Sequence, residues 1–205
     1  AQVYDQMREI FGSDTAMLIG IEDPELATPE GLKRLRKLQA IVASQPLVSD
    51  VTSLIDLQRI DPNAGGLQVA RFIPEGELNQ ERIDAAIKEL RQDGLFVPTF
   101  MSRDGQATAI IAELSSSIED TTKPEVFKAM RDFAHNIPGG KKLLTTDEGK
   151  LSLLEAARMD AAMKAYDWAK EAGYQEHQIY PTGMPVSAGF LLEETRRHMG
   201  PFFGV

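Results

Sequence analysis

The sequence predicts an α+β fold, and three stretches carry that prediction. Ala16-Met17-Leu18-Ile19-Gly20-Ile21 is an apolar run of strand length, followed by a capped helix and a returning strand. Arg103-Asp104-Gly105 separates two β-rich runs, a strong short-range hairpin signal. From Thr145 to about Ala172 an alanine-rich stripe repeats at helical spacing. The first stretch is a β-α-β unit, and its strand–helix–strand order recurs later in the chain.

Each element has its own signal. The run at Ala16 lacks polar alternation, which predicts a strand covered on both faces. Thr28-Pro29-Glu30 starts a helix: Thr28 can accept a bond from a free backbone N–H, and Pro29 has none to lose. Leu32, Leu35, Leu38 and Val42 form its apolar stripe, and Pro46 ends it. Val48 to Leu54 returns as a strand, and Asp61-Pro62-Asn63-Ala64-Gly65-Gly66 is a loop by its turn chemistry. Before all of these, Ala1 to Phe11 is a lead-in with Tyr4, Met7 and Ile10 on one side.

Leu67 to Ile73 reads as a strand and Asn79 to Gly94 as a helix with Ile83, Ala86, Ile87 and Leu90 as its stripe. Leu95 to Ser102 and Gln106 to Ser115 are the two arms of the expected hairpin, with Pro98 setting the first near an edge. Thr122-Lys123-Pro124-Glu125 has the form of a capping box before a helix carrying Val126, Phe127, Met130, Phe133 and Ile137, closed by Pro138-Gly139-Gly140. A second box, Thr145 to Glu148, opens the long helix with Leu154, Ala157, Ala161, Ala165 and Trp168, whose small side chains allow close packing. His177 to Tyr180 is a short strand, Thr182 to Val186 a turn, and Ser187 onward a last helix.

Composition narrows the function classes. The 205 residues, 42% hydrophobic and 26% charged, can bury a core without staples. A net charge of −9 argues against nucleic-acid binding, which needs a basic face. With no cysteine there are no disulfides, thiolate nucleophiles or cysteine-based zinc sites. No run reaches the ~20 apolar residues of a membrane-spanning helix.

With these elements in order, the sequence resembles the first extracytoplasmic loop domain of resistance-nodulation-division exporters, in the hydrophobe-exporting, mycobacterial-membrane-protein-large branch. The residues that carry the likeness are Phe11-Gly12-Ser13-Asp14 before the first strand, Thr28-Pro29-Glu30-Gly31-Leu32 at the first helix, and Val48-Ser49-Asp50-Val51-Thr52-Ser53-Leu54 at the second strand. Ser102-Arg103-Asp104-Gly105-Gln106-Ala107-Thr108-Ala109 resembles the family's hairpin, and Thr182-Gly183-Met184-Pro185-Val186 its motif leading back to the membrane. Together they extend over nearly the whole chain. The departure is Glu119 to Leu151, read as a helical insertion.

The resemblance implies two α/β subdomains of ferredoxin-like (β-α-β) character, divided near residues 61–66, in one porter domain excised from between two membrane helices. It implies a periplasmic or extracytoplasmic location on an inner-membrane protein, no enzymatic activity and no cofactor. The implied partners are a lipid or hydrophobic small molecule, the membrane through flanking helices, and the second loop domain or another copy of the transporter. Phe72, Phe96 and Phe100 are the candidates for a greasy cargo path, since a lipid-like cargo must be shielded from water.

No other constellation carries chemistry of its own. Glu194 and His198 stand four apart on one predicted helix face, a spacing more often met as a surface contact than as a zinc site. Glu176 and His177 would point opposite ways on a strand. Ser115-Ser116-Ser117 reads as loop, and Pro138-Gly139-Gly140-Lys141-Lys142 lacks the spacing of a phosphate loop. Asp160, Asp167, Glu171 and Glu176 read as a solvated helix face and its exit. Lys33, Arg34, Arg36 and Lys37 are the basic cluster, read as the wet face of the first helix, with anionic lipid head groups as the sharper alternative. Two other functional readings remain beside the porter: a soluble ferredoxin-like ligand-binding or sensor module, and a hydrolase whose carboxylate or histidine has no recognisable motif.

Overall fold

A computed structural model of the chain describes residues 15–61, 68–76, 79–92, 96–97, 99–183 and 185–186. The expected loop at 61–66, the lead-in to Phe11 and the last helix from Ser187 lie wholly or almost wholly outside those residues.

The fold is mixed α+β around a four-stranded antiparallel sheet. Strands β1 (Ala16–Glu22), β2 (Val48–Thr52), β5 (Ala107–Leu114) and β6 (Ile179–Thr182) lie in the order β2-β5-β1-β6. β5 is antiparallel to both β1 and β2, so the two strands joined by the first helix run the same way without touching each other. A separate hairpin pairs β3 (Gln58–Asp61) with β4 (Gln68–Arg71). The sequence reading missed β3 because Gln58 to Asp61 shows neither an apolar run nor a β-branched pattern.

Helix α1 (Pro29–Ala43) buries Leu32, Leu35, Leu38 and Val42, the stripe read from the sequence. It packs on α6 (Ala165–Ala172) and lies over β2 and β5, while α6 reaches β6. These helices cover one face of the sheet. On that face Met17, Ile19 and Ile21 stand opposite Ala112, Ile110 and Thr108, and all six are buried. The other face of β1 is only half covered at Leu18 and Gly20, so the expectation of two covered faces is corrected. The cause is topology: antiparallel sheets can leave one face to solvent, whereas crossover helices bury both sides of parallel ones.

Between β2 and β5 stand the β3–β4 hairpin and α2 (Gln80–Gln92), which buries Ile83, Ala86, Ile87 and Leu90. Between β5 and α6 come α3 (Pro124–His135), the short α4 (Gly140–Leu143) and α5 (Asp147–Met163), which pack on one another. Buried side chains from α2, α3 and α5 join one contiguous hydrophobic cluster with those of the sheet and α1.

One start device occurs twice. Thr28 and Thr146 each accept a bond at 3.1 Å from the backbone N–H of the glycine three residues on, Gly31 and Gly149. A Cβ on Gly31 would overlap the carbonyl of Glu25, and one on Gly149 that of Leu143. Each helix therefore begins with its first turn folded directly onto the preceding bend, and only glycine fits there.

Several local expectations are corrected. Thr146, not Thr145, caps the long helix, because Thr145 instead donates its hydroxyl to the Lys142 carbonyl. Thr122 likewise donates to the Glu119 carbonyl, so Lys123 holds the cap position of α3 with no side-chain bond. The long helix is two, α5 and α6, parted at Lys164. The second strand stops at Thr52, because Ser53 and Asp56 form a reciprocal cap that turns Leu54–Asp56 into a 3-10 helix. Residues 176–178 are also a 3-10 turn, with the last strand beginning at Ile179.

Candidate functional site

Among its described residues the first arm of the predicted hairpin is not a strand. Phe96, Val97, Thr99 and Phe100 lie in turns, and only Met101 bridges to Thr108. The reversal itself is tightly built. Gly105 takes φ +77°, its N–H reaches the Ser102 carbonyl at 3.0 Å, and the Ser102 N–H reaches Ala107 at 2.9 Å. The Asp104 carboxylate accepts the Ser102 hydroxyl at 2.5 Å and the Gln106 N–H at 3.0 Å. Those bonds hold its pKa below the usual carboxylate range, the Ser102 hydroxyl acting most strongly.

This turn positions an aromatic row. The Phe100 N–H bonds to the Phe96 carbonyl at 2.8 Å, and the Phe100 carbonyl accepts the hydroxyl of buried Thr108 at 2.7 Å. Phe72 and Phe96 meet edge-to-face with ring centroids 5.6 Å apart; Phe96 and Phe100 follow at 6.4 Å, tilted by 60°. Such pairs are worth about 0.5–1.5 kcal/mol beyond their burial. Phe72 is buried, and Phe96 and Phe100 are half-buried. Phe100 opens, with Met101, Arg103 and Ala109, onto a shallow depression of about 600 Å³ beside the turn. The three phenylalanines named from the sequence are thus brought into one row that runs from core to surface.

A deeper groove lies elsewhere. Between α3, the α5–α6 junction and the bend before β2 is a cleft of about 790 Å³. Phe133, Ile137, Ala157, Ala161 and Trp168 supply its apolar lining, and Asp132, Asp160 and Lys164 stand among its polar residues. The alanine stripe read from the sequence divides here. Ala165 is buried on α6, which packs against α1, whereas Ala157 and Ala161, also buried, line the cleft. Sequence reading took all of them as close-packing positions, since spacing alone does not show which neighbour arrives opposite.

The basic cluster on α1 is exposed at Lys33 and Lys37 and half-buried at Arg34 and Arg36, but three of its four cations are tethered. Arg36 donates to the carbonyls of Pro74 at 2.8 Å and Gly76 at 3.0 Å, and Lys37 donates to the Glu171 carbonyl at 2.5 Å. Arg34 binds Asp23 and Glu25. Lys33 alone of the four is exposed with no such tether among the described residues. These cations tie α1 to its neighbours, which leaves little for a lipid head group.

The other candidates resolve locally. Glu176 pairs with Lys170 at 3.0 Å, and the His177 carbonyl accepts the Tyr180 hydroxyl at 2.8 Å. Because both residues lie in a 3-10 turn, the alternation expected of a strand does not apply. The N–H groups of Ser116 and Ser117 bond to Asp120, so that stretch is a capped loop. Gly139, at φ +74°, stands in the bend between α3 and α4. Asp160, Asp167 and Glu171 are exposed, as read. Glu194 and His198 lie outside the described residues. Among the described residues no group of three or more His, Cys, Asp or Glu is placed to hold a metal, and no helix is long and apolar enough to cross a membrane.

Compared with known proteins, the chain matches no family model, no curated protein and no solved structure.

Proposed function

We propose that this chain is an extracytoplasmic porter domain of a resistance-nodulation-division exporter, of the hydrophobe-exporting, mycobacterial-membrane-protein-large type. It guides a lipid or other hydrophobic molecule by shape and greasiness, without covalent chemistry. The observation that carries the reading is the strand order. β1 and β2 flank β5, run in the same direction and are joined by α1, with β6 on the far side of β1. That order supports a split β-α-β, ferredoxin-like reading, the character that the resemblance implies for a porter subdomain.

The supporting residues lie at the joints of that unit. Thr28 and Gly31 begin α1, Ser53 ends β2 with its cap, Ser102 to Gly105 turn into β5, and Gly183, at φ +113°, follows β6. On this reading the subdomains divide near residues 61–66 and residues 119–151 carry the added helices. Phe96 and Phe100 are the path candidates, with Phe72 as their buried anchor.

The natural open reading frame around the chain tests the proposal. A membrane-spanning helix on each side and a second, related loop domain are expected. A reading frame that encodes a stand-alone soluble protein overturns it. On the protein itself, native mass spectrometry of gently purified material should show a co-purifying lipid. A small polar ligand would instead favour the ligand-binding-module reading, for which the 790 Å³ cleft is the supporting observation.

A further inference from the structure

We infer that the cleft between α3 and the α5–α6 junction binds a small, uncharged aromatic molecule. The inference uses only the cleft's own residues, so it stands or falls apart from the porter reading.

Size and floor come first. About 790 Å³ lies within the ~300–1,000 Å³ range of small-molecule sites. Leu47, Phe133, Ile137, Ala157, Ala161 and Trp168 are its apolar lining. Trp168 and the two alanines are buried, whereas Phe133 and Ile137 pack on the core and keep part of their surface uncovered. Among the described residues neither Trp168 nor Phe133 pairs with another ring. Two aromatic side chains on one cleft, each without a ring partner, favour an occupant with a ring of its own.

Charge then selects against ions of either sign. The charged residues of the lining are Asp132, Asp160 and Lys164, and each already has a counter-ion within the protein. Asp160 is bridged by Lys164 at 2.8 Å, and Asp132 by Lys128 at 2.9 Å, with Arg131 at 3.7 Å. A cation or an anion would leave water to enter the cleft and find no spare counter-charge there. An uncharged ring does not bear that cost. The polar residues offer it neutral contacts instead. Gln45 donates its amide N–H to the Ile41 carbonyl at 2.9 Å, and Asn136 donates to the Asp132 carbonyl at 3.1 Å, so each side chain keeps its oxygen as an acceptor.

Trp168 is the only tryptophan of the chain and lines the cleft, so its indole N–H gives one resonance that reports occupancy. The probes are naphthylmethanol, naphthylmethylammonium and naphthoate, substituted at the same ring position and differing in charge. In proton–nitrogen spectra of the chain near neutral pH, the alcohol should move that resonance saturably, at a concentration about tenfold below that needed for either ion. Lys164→Met removes the counter-ion of Asp160 and should strengthen the ammonium about threefold, with the alcohol changed by less than about twofold. Ala161→Leu puts a larger side chain into the cleft and should weaken the alcohol about tenfold, with the melting transition kept. The inference is overturned by an indole resonance that does not move saturably, by either ion binding as tightly as the alcohol, or by Lys164→Met leaving the ammonium no stronger. Alcohol binding that survives in folded Ala161→Leu overturns it as well. Lys164 is 55% exposed, so its variant keeps the test decisive even if Ala161→Leu fails to fold.

Discussion

Arg34 grips Asp23 with two guanidinium nitrogens: its Nη2 lies 3.0 Å from both carboxylate oxygens and its Nε 3.3 Å from one. Asp23, at the exit of β1, is 1% exposed, and its carboxylate also accepts the Glu25 N–H at 2.9 Å. The pair locks the start of the β1–α1 connection against the helix that follows it. Buried Tyr174 lies within the same electrostatic neighbourhood; burial chiefly raises its pKa, with Asp23 adding to the rise and Arg34 opposing it.

Breaking that pair from one side should be worse than removing it whole. Arg34→Ala leaves a buried carboxylate without its cation and should destabilise the chain by about 2–4 kcal/mol. Arg34→Ala with Asp23→Asn should recover part of that loss, giving a double-mutant coupling of about 1 kcal/mol or more in urea unfolding. Strict additivity would mean that the two groups do not act as a unit.

The repeated helix start makes a matched prediction. Gly31→Ala and Gly149→Ala each force a Cβ into a carbonyl of the preceding bend, and each should lower stability by about 2–4 kcal/mol. Thr146→Ala removes the cap bond, and Thr28→Ala removes it together with the Thr28 hydroxyl's bond to the Glu25 carbonyl; each should lower stability by about 1 kcal/mol. Gly139→Ala is the control: nothing lies within 4 Å of its Cβ, so only its positive φ is strained. It should cost no more than about 1 kcal/mol.

Asp120 supplies a pH dependence. Its carboxylate accepts the Ser116 and Ser117 N–H groups at 2.8 and 2.9 Å and bridges Lys123 at 2.7 Å. Burial works to raise its pKa, but Lys123 and the two backbone donors outweigh it, and the pKa falls well below the usual carboxylate range. A carboxyl whose folded pKa is depressed stabilises the fold above the unfolded value of about 3.9 and loses that contribution as pH falls toward the folded one. Asp120→Asn should therefore weaken the protein by about 1–2 kcal/mol at pH 7 and flatten its urea-midpoint profile below about pH 4. An unchanged acid limb in the variant would assign the effect elsewhere.

The aromatic row runs from a buried end to a half-exposed one. Phe72→Ala, at a buried position, should cost about 3–5 kcal/mol. Phe100→Ala, at the half-exposed end, should cost about 1–2 kcal/mol, because less of its ring leaves water on folding. On the porter reading proposed above, Phe100→Ala in the parent transporter should reduce export of a hydrophobic cargo while surface abundance is kept. Export equal to the parent's would leave the ring a structural role only.

The sequence by itself determined the elements whose signal is local. The α1 cap and stripe, the β1 and β5 strands, the turn at Gly105 and the buried face of α2 follow from spacing, capping and turn chemistry within a few residues. Of the face read for α3, Val126 and Met130 are buried but Phe127 is exposed. The phenylalanines were nameable as large apolar anchors for the same reason, but their order in one row came from the approach of the 72–76 bend to the 96–100 turn.

What only the tertiary structure decided depends on neighbours remote in the chain. Inserting β5 between β1 and β2 made the sheet antiparallel and left one face half open. The spent charges of Arg36 and Lys37 depend on carbonyls 38 and 134 residues away. Ala157 lines a cleft while Ala165 lies in a helix packed on α1, though both read as the same small residue at the same helical spacing. Period and capping are short-range properties that a chain carries in its order of residues; which surface meets which is a long-range property, set when the whole core closes.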